Sequence, residues 1–259
     1  MIFRPCIDIH NGKVKQIVGG SLKDAGSFAK ENFVSEKSAE EIALMFKEDN
    51  VKGAHVIMLN KRDSEYFDVT KEEALSALYA YPNGLQIGGG ITSLNAKSYI
   101  DAGAEKVIVT SYAFSDGEVK YENLEKLVSA VGRERIVLDL SCRFKDGEYY
   151  IVTDRWQNFT SVTVKPQVFD ELSQYASEFL IHGVDVEGTR AGIDEKLITV
   201  LSNASEKGHV ITYAGGISSE DDIKRIEACS SGRLDFTVGS ALDIYGGNLS
   251  YKELAEKYR

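Results

Sequence analysis

Gly89-Gly90-Ile91-Thr92-Ser93 follows a short apolar run and returns as Gly215-Gly216-Ile217-Ser218-Ser219, an offset of 126 (215 − 89). Two further echoes keep the same order. Val109-Thr110-Ser111 is echoed by Val238-Gly239-Ser240, offset 129 (238 − 109), and Ile7-Asp8-Ile9 by Leu138-Asp139-Leu140, offset 131 (139 − 8). Three ordered echoes, all near half of the 259 residues, read as an internal duplication.

Around these echoes β-branched runs alternate with helical patterns, the signature of βαβ units on a parallel sheet. The strand runs are Ile2–Ile9, Gly53–Met58, Leu85–Ile87, Lys106–Val109, Arg135–Leu140, Glu178–His182, His209–Tyr213 and Leu234–Val238. Helical patterns follow at Ser38–Asp49, Lys71–Tyr81, Ser93–Ala102, Tyr121–Val131, Pro166–Ala176, Glu195–Lys207, Ser218–Ala228 and Ser250–Tyr258. Eight strands, each followed by a helix, is the count of a TIM barrel. The expected fold is therefore α/β, a (β/α)8 barrel of duplicated half-barrels, roughly 1–130 and 131–259, within one domain spanning 1–259. Two hairpin-like stretches, Lys13–Val18 and Glu148–Val152, interrupt the first and fifth units. Three prolines and no low-complexity segment leave little room for a linker.

Forty acidic against 30 basic side chains give a net charge of −10, which disfavours partners that need a basic face, nucleic acid and anionic membranes among them. Three cysteines, Cys6, Cys142 and Cys229, are too scattered for a disulfide framework or a paired metal site. The amino terminus lacks the basic and apolar regions of an export signal, and no apolar run approaches the roughly 18 residues of a membrane span. The expectation is a cytoplasmic protein, complete as it stands, acting as a monomer on a small molecule.

Chemistry in this fold sits at the carboxyl ends of the strands. A glycine pair between strand and helix exposes backbone N–H groups at a helix amino terminus, a ready seat for phosphate. Gly89 with Gly90 and Gly215 with Gly216 would form twin seats, each backed by a neighbouring loop, Thr110-Ser111 or Gly239-Ser240. Such an arrangement suits a substrate carrying a phosphate at each end. Asp8 and Asp139 close the first and fifth strands, and two carboxylates in different environments can supply one general base and one general acid. His10 and His182 lie near strand ends, whereas His55 and His209 lie at strand starts, and none has metal-ligand spacing. Trp156, the one tryptophan, is open to two readings, a core residue or a loop aromatic covering a flat substrate. Cys142 reads as a small buried filler.

The stretches Cys6-Ile7-Asp8-Ile9-His10-Asn11-Gly12-Lys13-Val14, Gln86-Ile87-Gly88-Gly89-Gly90-Ile91, Val137 to Arg143, Asp185-Val186-Glu187-Gly188-Thr189 and Ala214-Gly215-Gly216-Ile217 resemble, nearly end to end, the phosphoribosylformimino-aminoimidazole carboxamide ribotide isomerases of histidine biosynthesis. Ser240 to Leu249 is similar to the eukaryotic branch. The resemblance implies a duplicated TIM barrel, no cofactor, no metal, and an Amadori rearrangement of a bis-phosphorylated aminoaldose to an aminoketose. It implies Asp8 as general base, Asp139 as general acid and Trp156 as a loop aromatic over the substrate. Gly20, His182 and Gly188 join the glycine turns, Thr110, Ser111, Gly239 and Ser240 as substrate- or phosphate-binding positions. Three positions depart from the bacterial pattern. His182 replaces a usual threonine, which leaves its role open; Glu187 replaces aspartate; and Thr92 stands where arginine often supplies a phosphate cation. The rival readings are the cyclase subunit of imidazole glycerol phosphate synthase, a phosphoribosylanthranilate isomerase, and a non-catalytic barrel that binds phosphorylated metabolites. His10 in place of lysine speaks against the first, Asp8 in place of cysteine against the second, and the intact aspartate pair against the third.

Overall fold

The computed structural model describes residues 1–17, 31–153, 158–186 and 192–259. Gly20, Trp156 and Gly188 lie outside the described residues. In chain order the first elements are β1 (Cys6–His10), β2 (Lys13–Ile17), β3 (Glu31–Val34), α1 (Ala39–Glu48), β4 (Ala54–Met58), α2 (Phe67–Ala80), β5 (Leu85–Gly88), α3 (Ala96–Asp101), β6 (Lys106–Val109), β7 (Phe114–Ser115), β8 (Glu118–Val119) and α4 (Tyr121–Val131). There follow β9 (Ile136–Lys145), β10 (Glu148–Thr153), β11 (Asn158–Thr163), α5 (Pro166–Leu172), β12 (Glu178–Gly183), α6 (Glu195–Ser205), β13 (Val210–Ala214), α7 (Glu220–Ser230), β14 (Asp235–Phe236) and α8 (Tyr251–Tyr258). The chain forms two compact units, one made of Phe3–Ile91, Asn95–Val107 and Val238–Arg259, the other of Met1–Ile2, Thr92–Leu94 and Ile108–Thr237.

In the first unit β1, β4 and β5 pair in parallel, with Asp8 opposite Ile57 and Val56 opposite Ile87. The Glu105 amide donates to the Leu85 carbonyl at 2.8 Å and leads into β6. Ile7, Ile9, Val56 and Ile87 are fully buried, the near-continuous apolar reading of strands covered on both faces. Helix α1 packs through Ala39, Ile42, Ala43 and Phe46, the spacing of one helical face. Ser38 and Glu41 close its amino end as a reciprocal capping box. From α8, Tyr251 stacks on Phe46 with ring centroids 5.3 Å apart. Strand β1 turns into β2 through Asn11-Gly12, both at positive φ (53° and 70°), the geometry that Asn-Gly favours in two-residue hairpins.

In the second unit β9, β12, β13 and β14 pair in parallel, Leu138 opposite Phe179, Phe179 opposite Ile211, and Tyr213 opposite Phe236. Ile2 extends this edge: its carbonyl accepts from the Phe236 amide at 3.0 Å, and its amide donates to the Asp235 carboxylate at 2.7 Å. Strand β9 runs beyond the expected Leu140 to Lys145, reverses through Asp146-Gly147 (φ 50° and 91°) and pairs with β10, which pairs with β11. A second Asp-Gly turn, Asp116-Gly117 (φ 54° and 77°), joins β7 to β8.

Two expected strands are shorter than the sequence suggested. The first begins at Cys6 rather than Ile2, because Pro5 has no N–H to give a ladder and the Phe3 amide donates instead to the Tyr258 carbonyl. The last is confined to Asp235–Phe236. The first hairpin strand ends at Ile17, Val18 lying outside the described residues.

Candidate functional site

Along β1 the pleat sends Ile7 and Ile9 into the core and leaves Cys6 and Asp8 half-buried. Asp8 is the middle residue of β1. The Cys6 thiol lies 3.8 Å from Asp8 Oδ2 and 4.0 Å from the Val238 carbonyl. Behind it the buried Tyr245 hydroxyl donates to the Cys6 carbonyl at 2.6 Å. Burial first, then the Cys6 thiol and the Asp8 carboxylate, push that phenol well above its ordinary range. Gly239 closes over this group: a Cβ there would stand 2.7 Å from Gln16 Oε1 and 2.9 Å from Cys6 Sγ, so a side chain would have to displace one or both, and Ser240 follows it.

Gly89 and Gly90 follow β5 in the left-handed region, φ 103° and 66°. A Cβ on Gly89 would collide with the Met58 carbonyl, which restricts that position to glycine on two counts. Asn95 makes no side-chain cap on α3 and instead donates from Nδ2 to the Gly90 carbonyl at 3.1 Å.

In the second unit Asp139 sits mid-way along β9, opposite Leu180. Both of its oxygens are held by side chains. His182 Nδ1 lies 2.9 Å from Oδ1, and the Thr110 hydroxyl donates to Oδ2 at 3.1 Å. The Asp139 side chain is 16% exposed and His182 27%, so the pair is sheltered yet reachable from solvent. Of the sequence candidates in this unit, the fold thus joins Asp139, His182 and Thr110. Ser111 stands exposed beside Thr110. Cys142 is buried, donating to the His182 carbonyl at 3.5 Å; burial, then Asp194, Asp185 and Asp139, push its thiol up, so it stays protonated.

Gly215 and Gly216 repeat the conformation of the other pair, φ 122° and 71°. A Cβ on Gly216 would collide with the Gly192 carbonyl. Two residues on, Asp194 caps α6 and accepts from the Tyr149 hydroxyl of β10 at 2.7 Å, while its amide donates to the buried Tyr213 hydroxyl at 3.0 Å. Asp185 bonds Arg143 Nε and the Phe144 amide, each at 2.9 Å. The β9–β10 hairpin therefore grips the chain on both sides of residues 187–191. Tyr149 and Asp194 went unnoticed in the sequence because their partner is 45 residues away and neither belongs to a motif.

At this turn the chain supplies an anion of its own to the amino terminus of α7. Asp222 Oδ2 accepts from the amides and hydroxyls of both Ser218 and Ser219 at 2.9–3.0 Å, and Oδ1 from Arg225 Nη2 at 2.9 Å. Burial pushes this carboxyl up, but the Ser218 and Ser219 donors outweigh it and hold it below the ordinary carboxylate range.

Among the described residues no group of three or more His, Cys, Asp or Glu is placed to hold a metal, and no helix is long and apolar enough to cross a membrane. The family model described as histidine biosynthesis protein matches residues 2–250. A Medicago truncatula protein is 54% identical over 256 residues, covering 97% of this chain and 80% of its own. Its name is 1-(5-phosphoribosyl)-5-((5-phosphoribosylamino)methylideneamino) imidazole-4-carboxamide isomerase, chloroplastic. Proteins of Yarrowia lipolytica (44% over 252 residues, 95% of this chain and 93% of the relative) and Saccharomyces cerevisiae (42% over 252, 95% and 94%) carry the same enzyme name. The chain belongs to the histidine biosynthesis protein family, a family of (β/α)8 barrels, and is an isomerase.

Proposed function

We propose that the chain rearranges the bis-phosphorylated aminoaldose of the relatives' reaction into its aminoketose, with Asp139 as general acid and Asp8 as general base. Asp139 protonates the ribose ring oxygen and opens the ring to a Schiff base. Asp8 takes the C2 proton to give an enolamine, which becomes the ketose when a proton returns at C1. One carbon is oxidised as its neighbour is reduced, so the step balances inside the substrate and calls for no cofactor. The observation that carries this reading is the Asp139 carboxyl, whose two oxygens are held by His182 and Thr110; these two partners stand at the carboxyl ends of β12 and β6, where this fold keeps its chemistry.

The glycine turns are the seats for the two phosphates, and Thr110, Ser111, Gly239 and Ser240 are phosphate ligands in the same reading. Since Asp222 occupies the Ser218 and Ser219 amides, a phosphate at Gly215 and Gly216 takes its donors from the turn itself. In the same reading 1–259 is one barrel of duplicated halves that works as a cytoplasmic monomer. Turnover of the aminoaldose by wild type, Asp8→Asn and Asp139→Asn tests the assignment. Each substitution is expected to lower kcat by at least ~10², the low end for a positioned acid or base, with substrate still bound. Near-normal turnover in either variant overturns it.

A further inference from the structure

The Gly89–Gly90 turn belongs to a chain whose net charge of −10 gives an anion no general welcome. The fold brings a cation from elsewhere. Arg62 lies in the loop between β4 and α2, in Asn60-Lys61-Arg62-Asp63. Its stem crosses Gly90: Cγ is 3.2 Å and Cδ 3.5 Å from the point a Gly90 Cβ would occupy. The Arg62 charge is also felt by the buried Tyr99 phenol on α3, where it opposes the upward push of burial. The side chain is exposed, and its guanidinium forms no ion pair or hydrogen bond among the described residues. An arginine draped over a left-handed glycine turn, its methylenes packed and its charge uncommitted, is built as a phosphate ligand, because the planar fork can take two oxygens at once. At Gly216 the corresponding neighbour is the Gly192 carbonyl oxygen, an acceptor, so the two turns differ in charge.

We infer that Arg62 binds one phosphate of the substrate at the Gly89–Gly90 turn. This rests on the proposed isomerase reading, in which the glycine turns seat phosphates. Arg62→Met keeps the stem over Gly90 and removes the charge, while Arg62→Lys keeps a charge. Steady-state turnover of the aminoaldose is expected to show KM raised about ten- to a hundredfold in the methionine variant, the scale of one charge-assisted contact, with kcat within about threefold of wild type. Lysine should recover most of the loss, and inorganic phosphate should inhibit the methionine variant more weakly than wild type. A KM within twofold of wild type for Arg62→Met, or a lysine variant as defective as the methionine one, overturns the inference. Asp139→Asn in the same assay separates the two ideas. If it turns over normally, the isomerase mechanism falls; if it is inactive while Arg62→Met keeps its KM, only the role of Arg62 falls.

Discussion

Replacing Asp222 by alanine measures what the self-supplied anion at α7 is worth. The residue is 2% exposed, and its two oxygens accept five hydrogen bonds, two from backbone amides and one from Arg225. Alanine loses them all, including the reciprocal half of the Ser219 capping box. A lost cap costs about 1 kcal/mol, and a hydrogen bond to a charged group about 1.5–3. Because the serine hydroxyls can turn to water, the contributions do not add, and about 3 kcal/mol is the expected cost. For 259 residues the unfolding entropy is roughly 0.5 kcal/mol per kelvin, so Tm should fall by about 5–6 °C at pH 7. The sign with pH is fixed by the depressed carboxyl. Its stabilisation is present above the ordinary value of 3.8 and is lost as pH falls through the lower folded value. Melting followed by circular dichroism at pH 7 and at successively lower pH should therefore show the wild-type advantage shrinking only below about pH 4. A Tm difference under about 1 °C at neutral pH, or one that persists undiminished in acid, refutes the reasoning.

Two further outcomes are expected. His182→Ala should lower kcat about tenfold with KM unchanged, as expected for losing the group that orients an acid, and His182→Asn, whose Nδ2 can stand in for Nδ1, should recover most of it; equal losses in the two variants would show that the imidazole itself is required. Tyr149→Phe removes the donor to Asp194 and should cost about 1–2 kcal/mol in urea unfolding and raise KM severalfold, because the Gly192 carbonyl against Gly216 is held by the same segment.

The β9–β10 hairpin shows where sequence patterns stop being informative. Glu148–Val152 read as a hairpin from local pattern, yet nothing in β10 announced that Tyr149 would reach Asp194, because that bond exists only once β12 lies beside β9. The same distinction runs through the rest of the chain. Lys106–Val109 and Tyr121–Val131 coincide with β6 and α4, since strand and helix here follow from apolar period and neighbours close in sequence. The helix after Gly90 is confined to Ala96–Asp101, where the sequence pattern ran from Ser93 to Ala102, and Asn95 before it donates to the Gly90 carbonyl. Asp8, Asp139 and the glycine turns were legible from repetition. Arg62 was not, because its part depends on a stem laid over a turn 28 residues away (90 − 62).

The pairing of Ile2 with Asp235 and Phe236 sets a schedule for the chain as it is made. The second unit cannot complete its edge until a residue near the start has waited for one 234 positions later (236 − 2). At ribosomal speeds of about 5–20 residues per second, that wait is about 12 to 47 s. Throughout it the Phe236 seat does not yet exist, and the backbone groups of Ile2 must stay in water or in the hands of a chaperone. Assembly of this edge is therefore a late event in the folding of the unit rather than an early one.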